Sequence, residues 1–153
     1  MRRPLTALVA VGLATLGIAS CGGDDGEDQA FQDDFPALSE RIAALGEEVG
    51  TTLETAERAS DQELAREFDD FAEELGDLRQ ELEDLDPPED LADERDELVS
   101  AMGEVRSSLE DIASAAEEGD PEAAREATLE LIDSSNELRD ARRDLSSAVR
   151  EGE

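Results

Sequence analysis

The sequence predicts an all-α fold, an antiparallel up-down-up-down four-helix bundle that follows a cleaved signal peptide and a flexible acidic tether. Three observations predict it. From Phe35 onward the apolar residues recur every three or four positions, the period of one helix face, and no useful length alternates with period two. The breaks between apolar runs carry helix start and stop residues, such as Asp86-Pro87-Pro88 and Gly119-Asp120-Pro121. Those breaks are also short, so successive helices must reverse direction and lie side by side.

The amino-terminal residues stand apart from the bundle. Met1-Arg2-Arg3-Pro4 is a short positive region, and Leu5 to Ile18 is an uncharged apolar run that leads into small residues, the order of a secretory signal peptide. At fourteen residues the run is shorter than the about 20 needed to span a bilayer. Arg2-Arg3 lacks the flanking residues of a twin-arginine signal and reads as ordinary positive charge. Residues 21 to 34, beginning at Cys21 and running on through GGDDGEDQAFQDD, are rich in Gly and Asp without apolar periodicity, and they are expected to form a solvated tether. Its DDGED does not carry the alternation of an EF-hand loop.

The first helix is expected over residues 36–59, with Leu38, Ile42, Leu45, Val49, Leu53 and Ala56 on one face. Gly46, Gly50, Thr51 and Thr52 weaken its propensity, the glycines being either tolerated or points of close approach or kinking. The second, over 61–86, carries Leu64, Phe68, Phe71, Leu75, Leu78, Leu82 and Leu85 at steps of four and three. A capping box, Ser60-Asp61-Gln62-Glu63, starts it. Pro87 disfavours helical geometry at Asp86, and Pro88 suits the first turn of a third helix over 88–118. That helix has Leu91, Leu98, Met102, Val105, Leu109, Ile112 and Ala116 along one seam. Gly119 as C-cap, Asp120 as N-cap and Pro121 at the first helical position open the fourth helix, 121–150, whose narrower stripe is Ala127, Leu131, Leu138, Leu145 and Val149. The competing architecture is a helical hairpin that dimerises through the same stripes, and monomer and homodimer are both left open.

Composition narrows function by exclusion. The 153 residues hold one ordinary domain. They include 44 acidic residues against 13 arginines, no Lys, no His, no Trp and no Tyr. Without His, the usual near-neutral general base and the commonest metal ligand are missing. No Gly-x-Ser-x-Gly elbow occurs, and the Glu-x-x-His ligation of a di-iron bundle cannot be assembled. So many acids guarantee chance pairs, and pairing alone marks no acid/base couple. The reading is therefore no enzymatic activity, no cofactor and no metal site. A net charge of −31 repels nucleic acid.

Ile18-Ala19-Ser20-Cys21 resembles the lipobox of bacterial lipoproteins, an aliphatic residue and two small ones before an obligatory cysteine. The resemblance implies cleavage before Cys21, a diacylglyceryl group on its sulfur, and acylation of the new amino terminus, palmitate being the expected acyl chain. Residues 1 to 20 would leave with two arginines and no acids, so the mature chain would be more acidic still. Two or more acyl chains make a stable membrane anchor. The expected location is the extracytoplasmic face of the cell membrane, with the lipid bilayer as partner.

LEDLDPPEDLADERDELVSAM, Leu82 to Met102, is similar to a segment of small helical actinobacterial lipoproteins of uncharacterised function. The likeness extends more loosely through the EEGDPEAAREA turn, Glu117 to Ala127. Pro87-Pro88, Leu91 and Leu98 match the pattern, while Arg95 stands where His is frequent, so no metal or proton role carries over. Arg95 also interrupts the apolar seam of the third helix, and Arg142 lies near the seam of the fourth. A charge at a seam either snorkels and pairs with a nearby acid or contacts a partner. Arg95 and Arg142 are thus the candidate contacts for an envelope protein partner. The expected function is a membrane-anchored helical-bundle binding or structural module; the alternative is a lipoprotein that holds divalent cations or a small solute.

Overall fold

The computed structural model describes residues 24–152. Among them are four α-helices and no strand: α1 (Asp24–Thr55), α2 (Asp61–Glu83), α3 (Ala92–Glu118) and α4 (Pro121–Glu151). Single 3-10 turns at Ala56–Arg58 and Glu89–Leu91 sit in the first two connections. Helix α1 lies against α2 and α4, and α3 lies against both from the other side, which is the antiparallel four-helix bundle. The helices of 23 to 32 residues extend about 35 to 48 Å.

The caps form as their residues dictate. The Ser60 hydroxyl accepts from the Glu63 backbone N–H while the Glu63 carboxylate accepts from the Ser60 N–H. The Ser60 N–H and the Ser60 hydroxyl both donate to the Glu63 carboxylate, which holds that carboxyl below its ordinary range. Gly119 adopts the left-handed conformation at φ 65°, and the Asp120 carboxylate accepts from the N–H groups of Glu122 and Ala123.

Four boundaries depart from expectation. The first helix begins at Asp24, not at 36, so residues 24–34 of the expected tether are helical. Phe31 and Phe35 are the reason: each is 1 % exposed, and their rings stack with centroids 5.5 Å apart. Burying a phenylalanine is worth about 1.5 to 3 kcal/mol, which offsets the poor propensity of the Gly- and Asp-rich stretch. Pro36 consequently lies inside α1, where it removes the N–H that the Gln32 carbonyl would otherwise accept from. The same helix gives way to the 3-10 turn after Thr55. The third helix starts at Ala92, because Pro88 opens the 3-10 turn through a Leu91 N–H bond to its carbonyl, and α2 ends at Glu83. The expected signal peptide, Cys21 and the first tether residues lie outside the described residues.

One core fills the bundle. Leu78, Leu82, Leu98, Met102, Leu109 and Leu145 are completely enclosed. The way α3 meets α4 is more particular. Ala101, Ser108 and Ala115 on α3 and Ala127, Ser134 and Ala141 on α4 recur every seven residues, and the Ser108 and Ser134 hydroxyls are 3.4 Å apart. In an antiparallel pair this places Ala101 level with Ala141 and Ala115 level with Ala127. Small residues facing one another at every heptad let these two backbones approach closely. Helix α1 lacks such a stripe and packs less closely on its neighbours.

Candidate functional site

The wider spacing of α1 leaves a cleft of about 380 Å³ between α1 and α4. Residues that would fill it are small: Ala43 and Gly46 on α1 and Ser135 on α4 line its walls, and a Cβ at Gly46 would meet no atom within 4 Å. Its floor is apolar and belongs to the bundle interior, with Leu75 of α2 and Val105 and Leu109 of α3. Leu138, expected on the α4 core stripe, is half-buried because it borders this opening.

Two arginines stand on the α4 wall. Arg142 donates through Nη1 to the Ser39 hydroxyl at 3.2 Å, and that hydroxyl lies 3.3 Å from Ser146 Oγ. Arg139, one turn earlier, donates through Nη1 to Asn136 Oδ1 at 2.8 Å. Glu47 lines the cleft as well, yet among the described residues no carboxylate lies within ion-pair distance of either guanidinium. Arg41, Arg79, Arg95, Arg106 and Arg143 each have such a partner. Arg58, Arg66, Arg125 and Arg150 have none either and are exposed; Arg139 is exposed as they are, but it lines the same cleft as the half-buried Arg142.

Of the residues singled out from sequence, Arg142 therefore falls in the cleft and Arg95 does not. Arg95 is mostly enclosed near the start of α3, with Nε 3.3 Å from Asp96 Oδ1, its neighbour on the same helix. That Nε has no hydrogen-bond partner. Cys21 lies outside the described residues. Sequence reasoning missed Arg139, Ser39 and the cleft itself. The available signal was the small residues Ala43 and Gly46 of α1, whose glycine reads from sequence as either tolerated or a point of close approach, whereas it marks an opening.

Glu104 of α3 and Glu137 of α4 line a shallow groove that also holds Glu97, Asp140 and Asp144, close enough for a proton on one carboxyl to be shared with the other. That sharing, reinforced by the Glu104 charge, raises the Glu137 carboxyl above its ordinary value. Among the described residues no three His, Cys, Asp or Glu side chains converge closely enough to hold a metal ion. No described helix is long and apolar enough to cross a membrane. Comparison of the chain with protein-family models, with curated proteins and with solved structures finds no match.

Proposed function

We propose that the chain is a lipid-anchored binding module of the extracytoplasmic membrane face, which takes a small apolar solute into the α1–α4 cleft and carries out no chemistry on it. The cleft is the observation that carries this reading. It connects solvent to side chains of all four helices, and its size lies in the range of small-molecule pockets. It persists because Gly46, Ala43 and Ser135 leave space that leucines at those positions would close. Anchoring rests on Ile18-Ala19-Ser20-Cys21 and would keep the bundle close to the bilayer surface.

The experiment is a comparison of the full chain with Gly46→Leu, using Nile red, a neutral dye that brightens in apolar surroundings. The leucine begins from a Cβ in open space and replaces a weak helix former with a strong one, so the variant should fold at least as well. Dye fluorescence should fall markedly in the variant at unchanged helicity. Equal fluorescence from the two proteins would place any dye binding outside the cleft and end this reading.

A further inference from the structure

Resting on that reading, we infer that the solute is a single-chain monocarboxylate of medium length, with its alkyl chain in the cleft and its carboxylate between Arg139 and Arg142. The volume sets the length. At about 30 Å³ for a group the size of water, 380 Å³ takes about a dozen non-hydrogen atoms, close to a ten-carbon acid. The floor sets the class of tail, since Leu45 and Val49 of α1, Leu75 of α2, Val105 and Leu109 of α3 and Leu138 of α4 offer no polar side-chain group.

The head group follows from charge. In a chain of 44 acids and 13 arginines, this wall brings together two guanidiniums that have no carboxylate within ion-pair distance. With Glu47 opposite, the cleft has a local charge of plus one, which one carboxylate neutralises. A doubly charged phosphate would overshoot that balance inside the field of a molecule of net charge −31. Arginine also presents paired N–H donors that match a carboxylate, and the bond to Ser39 already holds Arg142 against the α1 wall. An entering carboxylate would take up N–H donors that now have only Ser39 and Asn136 as acceptors.

Calorimetric titration of the full chain with decanoate, 1-decanol and decyl phosphate tests this, each repeated on Gly46→Leu and on the double variant Arg139→Gln/Arg142→Gln. Decanoate should bind the native chain best. The double variant should lose about tenfold or more for decanoate, the worth of one charge-assisted hydrogen bond, and keep its affinity for decanol. Gly46→Leu should lose both ligands. Equal affinity for decanoate and decanol, with both lost in Gly46→Leu, would overturn the carboxylate while leaving the cleft as a binding place. Tighter binding of decyl phosphate would overturn the single-charge argument. Decanoate binding unchanged in Gly46→Leu would overturn this inference and the reading beneath it together.

Discussion

Replacing Phe31 by alanine probes whether the residues ahead of Pro36 belong to the bundle. Phe31 is 1 % exposed and stacks on Phe35, so truncation removes nearly all of a ring's burial and opens a cavity between α1 and its neighbours. Phe→Ala changes in well-packed sites cost about 3 to 5 kcal/mol. Against a total stability of about 5 to 15 kcal/mol, this is a large fraction. For a domain of this size each kcal/mol moves the melting temperature by about 3 to 5 °C, so the expected drop is about 9 to 25 °C. Circular dichroism melts of the native chain, Phe31→Ala and Asp33→Ala provide the measurement. Asp33 sits half a turn away on the exposed face, and its replacement should stay within about 0.5 kcal/mol of native. If Phe31→Ala melts within about 3 °C of Asp33→Ala, residues 24–34 are a tether after all and α1 begins later than described.

Gly50 is exposed in the last two turns of α1 with nothing within 4 Å of an added Cβ, so Gly50→Ala should stabilise by about 0.5 to 1 kcal/mol; a lower melting temperature would refute its placement. The Glu104–Glu137 pair gives a pH signature. Because folding raises the Glu137 pKa, its ionised form opposes the fold, and stability is regained as pH falls through that raised value. Glu104→Gln should therefore melt above the native chain at pH 7, with the gap closing near pH 4 as the native pair protonates; a gap that is constant with pH excludes the repulsion. Cys21→Ser should move the chain from the detergent phase to the aqueous phase in a phase-partition experiment on expressing bacteria. Retention in the detergent phase would remove the lipid as the anchor.

The bundle was legible wherever local chemistry and long-range packing asked for the same thing. The Ser60 capping box, the Gly119-Asp120-Pro121 turn and the three-and-four spacing of Leu64 to Leu82 each specify a helix edge or face, and each is found in place. The start of α1 was not legible because two signals conflicted. Pro36 has the usual look of a first helical residue, and the Gly- and Asp-rich run ahead of it resembles a linker, so only the burial of Phe31 and Phe35 shows that tertiary packing wins. The site was half legible. A charge beside an apolar seam marked Arg142, but the same logic marked Arg95, which pairs with its own chain neighbour. What separates the two is the distance between helices. That distance follows from which flanks carry alanine, glycine or serine across from one another, a relation that needs the pairing of helices and their alignment to be known.

The serine pair between α3 and α4 answers a question that alanines leave open. A seam of identical small residues every seven positions would fit almost as well after one helix slid past the other by a heptad, about 10 Å. Such a slide would set Ser108 against Ala127 or Ala141, and Ser134 against Ala101 or Ala115, leaving each enclosed hydroxyl facing a methyl group. The hydroxyls would keep only their bonds to the Glu104 and Leu131 carbonyls of their own helices. One pair of oxygen atoms thus acts as an index mark on an otherwise repeating scale. It selects a single alignment for α4, and the second serine contact, Ser39 with Ser146, carries that alignment across to α1.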